Sequence, residues 1–69
     1  MPWASIEDLP ETLRDRLPVH AQEIFLAAFN AAWRQHAREP EVEATAHRIA
    51  WAAVKRRYRK SGDVWVPRT

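Results

Sequence analysis

From Val19 to Arg38 the apolar residues Ile24, Phe25, Ala28, Phe29, Ala32 and Trp33 recur at spacings of one, three and four. That is the period of one face of an α-helix, not the alternation of a strand, and it predicts a long helix. Upstream, Ile6, Leu9, Leu13 and Leu17 form a shorter stripe, with Asp8 as a capping acid and Pro10 at the entry, which predicts a first, short helix. Pro18 separates the two, because the residue before a proline is driven out of helical geometry and the proline itself can open a new helix. Glu39-Pro40-Glu41 ends the second helix and leads, with acids on both sides of the proline, into the first turn of a third.

The third helix carries two overlapping stripes. Ala46, Ile49, Ala50, Ala53, Val54 and Arg57 share one side, and His47, Trp51, Val54 and Tyr58 make the other, so contact with two neighbours is expected. Alanines at 46, 50 and 53 allow close approach to helix two, where Phe25, Phe29 and Trp33 fill the remaining gap. The short connection sets these two helices antiparallel. Ser61-Gly62 reads as the end of helix three, with Gly62 as its left-handed cap. Beyond it, Val64-Trp65-Val66 is strand-prone and precedes Pro67. So short a segment needs a mate, and Trp3 near the other end of the chain is the expected one. The predicted fold class is mostly α: a small bundle of one short and two longer antiparallel helices, with a minimal strand pair or clasp formed by the two termini, as a single domain over residues 1–69.

Composition agrees with a helical, aromatic-rich core. A chain of 69 residues buries only about 60% of the surface its unfolded form exposes, so its core must be dense in large side chains. Four tryptophans, two phenylalanines and one tyrosine supply them. One glycine and many alanines favour helix over sheet. The absence of cysteine excludes disulfides and thiolate metal sites and suits a cytoplasmic location. No apolar run approaches the roughly 20 residues needed to span a bilayer, and the start Met1-Pro2-Trp3 has neither the basic nor the apolar part of a signal peptide, so no membrane insertion is expected.

Charge adds an asymmetry that the mean hides. Residues 1–43 hold eight acids and four bases, a net of −4, whereas residues 44–69 hold one acid and seven bases, a net of +6. The chain is dipolar, and its basic end can steer toward an anionic partner.

Four stretches also carry a resemblance. Leu17-Pro18 with His20-Ala21-Gln22, the run Ala28-Phe29-Asn30-Ala31-Ala32-Trp33, the run from Ala46-His47-Arg48-Ile49-Ala50-Trp51 to Ala52-Ala53-Val54-Lys55, and the closing Tyr58 and Trp65 together resemble the ChaB family, small bacterial proteins described as regulators of cation transport. Leu9-Pro10 and the Met1-Pro2 start also fit. Trp3 stands where a tyrosine-like aromatic would be expected, and the connection around Pro40 is shorter than the family's charged one. The resemblance implies a helical fold with a small strand element and a regulatory role toward a sodium or calcium/proton antiporter. It implies no catalytic residues.

Candidate chemistry is sparse. His20, His36 and His47 lack the paired spacing of zinc ligands, so no metal and no cofactor is expected. In the antiparallel pairing His36 and His47 fall near one end, and His20 lies by Tyr58 and Trp65 as a capping or packing residue. Asn30, poorly suited to mid-helix, is read as making a buried side-chain hydrogen bond to helix three or a terminus. His47 and Trp51, one turn apart, are read as packed together. There is no glycine-rich phosphate loop, no cysteine nucleophile and no helix motif pairing two histidines with a glutamate, and the acids Glu7, Asp8, Glu11 and Asp15 read as helix-start and surface charges, so the chain is not expected to be an enzyme.

One functional-looking surface remains. Lys55-Arg56-Arg57-Tyr58-Arg59-Lys60 puts five cations into six positions, which on a helix would form a collar. Cations at a helix C-terminus complement its dipole, but one or two suffice for that. The excess, continued by Arg48 and by Arg68 in the tail, fits either a surface for an anionic partner or a purely solubilising one, and the first is the functional reading. Arg48, Lys55, Arg56, Arg59 and Lys60 are the candidate partner-binding residues. The expected function is that of a small monomeric regulatory adaptor docking on an acidic protein surface, for example the cytoplasmic side of a cation antiporter. The alternative is an accessory protein that sets the same cations against nucleic-acid phosphates. The acidic first half and the lack of a helix-turn-helix spacing weigh against that alternative.

Overall fold

A computed structural model of the chain describes residues 3–68. Ile6–Asp8 form a 3-10 turn, followed by α1 (Glu11–Arg16), α2 (Val19–Gln35), α3 (Val42–Arg57) and two strands, β1 (Tyr58–Ser61) and β2 (Val64–Pro67). The expected first helix is thus divided. Leu9, extended at φ −64° and ψ 151° because Pro10 follows it, separates the 3-10 turn from α1, and the helix takes Pro10 rather than Asp8 at its cap position. Pro18 stands at the same position before α2, so both helices begin directly behind a proline.

The core lies between α2 and α3. Ala46 and Ala50 are fully buried against α2, and Phe25, Phe29 and Val54 are the largest fully buried side chains. Small residues on one helix thus admit large ones from the other, as the alanine pattern predicts. Leu9 and Leu17, both buried, close the end of this core that α1 covers. The aromatic rings form a continuous series: Trp33 stacks on Phe29, Phe29 on Phe25, Trp51 meets Phe25 edge-on at 5.2 Å, and Trp65 lies 5.4 Å from Trp51. His47 packs edge-on against Phe25, Phe29 and Trp3. Its ring partners are therefore α2 and the N-terminal segment, and Trp51 is shared between Phe25 and the hairpin.

The minimal strand pair exists, but it is not formed by the two termini. β1 and β2 pair antiparallel with each other, Tyr58 opposite Pro67, Arg59 opposite Val66, Lys60 opposite Trp65 and Ser61 opposite Val64. Helix α3 accordingly stops at Arg57, short of the expected Ser61-Gly62 end, and Tyr58 is already extended at φ −132° and ψ 155°. Gly62 does have the left-handed backbone expected of it, at φ 63°, but in a two-residue hairpin turn instead of a helix cap. Positive φ at the first turn position and none at Asp63 is the sign pattern of a type II′ turn, which favours glycine there.

Trp3 has a different mate. Its backbone N–H donates to Asn30 Oδ1 at 3.1 Å, and Asn30 Nδ2 donates back to the Trp3 carbonyl at 2.8 Å. The indole then lies on Phe29 with 4.2 Å between centroids. Asn30, unfavourable by propensity in mid-helix, serves as a two-point anchor for an extended segment, in line with the reading of its side chain as bonded to a terminus. The Met1-Pro2 part of the family resemblance lies outside the described residues.

Candidate docking surface

Where α3 ends decides how the cations are arranged. Arg48 and Lys55 are seven residues apart, close to two helical turns, and so share the exposed side of α3, with Arg56 about a quarter-turn round. Arg59 and Lys60 are on β1, not on the helix, so the expected helical collar is not what the fold builds. Successive strand residues point to opposite faces. Arg59 therefore falls with Val66, and Lys60 falls with Trp65 on the Tyr58 side. All five predicted residues are exposed, and the fold gathers four of them around the junction of α3 with the hairpin, leaving Arg48 two turns up the helix.

The junction is held by specific bonds. Tyr58 is only 5% exposed, and its hydroxyl meets His20 Nδ1 at 3.0 Å, which ties the start of the hairpin to α2. Arg68 folds back over the end of α3: its backbone N–H donates to the Arg57 carbonyl at 2.8 Å, and its Nε donates to the carbonyls of Lys55 at 2.7 Å and Tyr58 at 3.1 Å. Arg68 is therefore the residue that complements the α3 C-terminus, with Tyr58 N–H taking the Val54 carbonyl. Arg48, Lys55, Arg56, Arg59 and Lys60 are left without that duty. Among the described residues the ion pair formed is His36 Nδ1 with Glu39 Oε2, at the opposite connection, and no carboxylate pairs with a cation of the basic end.

The histidines are apart. His20 lies by Tyr58 as expected, His36 pairs with Glu39, and His47 is packed among aromatic rings. Among the described residues no group of three His, Asp or Glu side chains is arranged to hold a metal ion, and no helix is long and apolar enough to cross a membrane. Two contributors escaped the sequence reading. Gln22, 7% exposed, donates from Nε2 to the carbonyls of Leu17 at 2.7 Å and Arg14 at 3.2 Å, stapling the end of α1 to α2. Arg68 looks from its tail position like one more surface charge, and nothing in its spacing signals that it caps a helix ending eleven residues earlier.

Fold and surface together define a small helical scaffold, closed by a C-terminal hairpin, that presents a cluster of exposed cations at one end. Comparison with known proteins gives the family. The ChaB family model matches residues 9–68. Proteins named "Putative cation transport regulator ChaB" from Escherichia coli strain K12 and from Shigella flexneri are each 45% identical over 69 residues, covering 91% of this chain and 91% of theirs. The solution structure of a protein of that name superposes with a TM-score of 0.85 at 41% identity, covering 99% of this chain and 100% of the other. The chain belongs to the ChaB family.

Proposed function

We propose that this protein is a non-enzymatic regulatory adaptor that docks on an acidic protein surface through Arg48, Lys55, Arg56, Arg59 and Lys60. The observation that carries the reading is the cation cluster at the α3–hairpin junction, exposed and, among the described residues, paired with no carboxylate, although Arg68 already satisfies the helix end. Like charges gathered without counter-charges repel one another, and a stable protein tolerates that where a partner of opposite sign relieves it. Relatives named as cation transport regulators support a regulatory role, and the partner class we infer from the positive charge of this surface is an acidic segment on the cytoplasmic side of a cation antiporter.

The test is recovery of the protein on membranes that contain or lack such an antiporter, for the wild type and for the variant Lys55→Glu/Arg56→Glu/Arg59→Glu/Lys60→Glu. Recovery that needs both the antiporter and the native charges is expected. Equal recovery from both membranes would refute the antiporter reading. A companion titration with duplex DNA at several salt concentrations separates the phosphate alternative, for which neutralising about four phosphates gives a slope of log affinity on log salt near −3.6. Absence of binding near physiological salt is the expected result there.

A further inference from the structure

A recess of about 380 Å³ lies beside the end of α3, lined by His20, Arg56, Arg57, Tyr58, Pro67 and Arg68. Its volume falls at the low end of the roughly 300 to 1,000 Å³ typical of small-ligand sites. Three of its six lining residues are arginines, and none is an aspartate or glutamate.

The negative pole of a helix should repel an anion, but here that pole is covered. The carbonyls of Lys55, Arg57 and Tyr58 accept from Arg68, and that of Val54 accepts from the Tyr58 N–H. Arg68 uses Nε for this, so its terminal nitrogens remain as donors, and Arg56 and Arg57 make no side-chain hydrogen bond among the described residues. The bond between His20 Nδ1 and the Tyr58 hydroxyl fixes the imidazole at the rim. With Tyr58 donating to Nδ1, Nε2 bears the proton and becomes a further donor. Planar guanidinium forks with a neutral N–H beside them match the tetrahedral oxygens of phosphate, each fork able to span two oxygens.

We propose that this recess binds a phosphate dianion, either inorganic phosphate or the phosphate of a small phosphomonoester, through Arg56, Arg57 and Arg68 with His20 as fourth donor. The site shares only Arg56 with the proposed docking surface and needs no protein partner, so the two readings stand or fall separately.

The experiment is a ¹H–¹⁵N NMR titration of the full chain at constant ionic strength, with inorganic phosphate in one arm, phenyl phosphate in the second and chloride in the third. Saturable shifts confined to the amides of 56–58 and 68, the three arginine Nε groups and the His20 ring are expected in one or both phosphate arms. The tighter of the two arms identifies the source. The variant Arg56→Gln/Arg57→Gln should weaken binding about tenfold or more, whereas Arg16→Gln/Arg38→Gln, with the same change in net charge, should alter it by less than about twofold. Both positions of the first variant are exposed, and an otherwise unchanged spectrum confirms its fold. Shifts that fail to saturate, that chloride reproduces, or that both double variants reduce equally would overturn the proposal.

Discussion

The anchor between Asn30 and Trp3 offers a sharp test of the packing account. Replacing Asn30 with Ala removes both hydrogen bonds to the Trp3 backbone, at 3.1 and 2.8 Å. Each such bond contributes a net of about 0.5 to 1.5 kcal/mol, so about 2 kcal/mol is at stake. Alanine returns about 0.6 kcal/mol through its better helix propensity. The expected net loss is therefore about 1 to 2 kcal/mol, a sizeable part of the roughly 3 to 10 kcal/mol that a chain of this length possesses. At about 4 to 8 °C per kcal/mol for so small a domain, Tm should fall by about 5 to 15 °C.

Two companion variants give the test its force. Asn30→Asp keeps the acceptor for the Trp3 N–H but turns a carboxylate oxygen toward the Trp3 carbonyl, so at neutral pH it should cost at least as much as alanine. In a Trp3→Ala background the indole no longer holds the segment on Phe29. Asn30→Ala should then cost little, or even stabilise by a few tenths of a kcal/mol through propensity alone. Urea unfolding followed by far-ultraviolet circular dichroism measures all four proteins of the cycle. An Asn30→Ala cost below about 0.5 kcal/mol in the wild type, or an equal cost in both backgrounds, would refute the claim that asparagine and indole act together.

Two further predictions follow from single contacts. Gly62→Ala and Gly62→Asn should both destabilise by about 1 to 2 kcal/mol in urea unfolding, because φ is 63° there and the first position of a type II′ turn lies outside the left-handed helical region that asparagine tolerates. A Cβ at this position meets nothing within 4 Å, so the cost comes from backbone conformation and not from crowding, and no loss of stability in either variant would refute that account. Gln22→Leu should cost about 1 to 3 kcal/mol by leaving the Leu17 carbonyl unpaired in a buried place, and hydrogen exchange should show faster opening of α1 than of α2.

How much of this was readable in the sequence depended on whether local and tertiary signals agreed. Helix α2 was readable because its apolar period, its proline start and its alanines all say the same thing. Asn30 was readable because a residue that disfavours its own position must be compensated elsewhere. The end of α3 was not, because the signals conflict: Lys55, Arg56, Arg57, Arg59 and Lys60 all favour helix, and a glycine at Gly62 serves a helix cap and a hairpin turn equally well. The residue that decides is Tyr58. At 5% exposure it is the last buried position before the turn, and extension there both sinks its ring and brings its hydroxyl to His20. That gain belongs to a contact 38 positions apart, which no window along the chain can weigh. The candidate site inherits the same ambiguity: the sequence shows that the basic residues are clustered, but not how the fold arranges them.

The electrostatics of this protein are thus a consequence of where one helix stops. Had α3 run on through Lys60, the basic residues would have wrapped around its end and faced several directions. Extension at Tyr58 instead splits them between a helix side, carrying Arg48 and Lys55, and a ribbon, carrying Arg59 and Lys60, with Arg56 and Arg57 at the corner. The return strand then brings Arg68 onto the α3 carbonyls, which removes the usual reason for a helix end to hold basic side chains. The cations that remain are exposed and, among the described residues, pair with no carboxylate, and they are positioned by the same aromatic contacts, Tyr58 with His20 and Trp65 with Trp51, that fasten the hairpin. Core and surface are therefore coupled: a change that loosens the hairpin should disorder the basic face without altering a single charge on it.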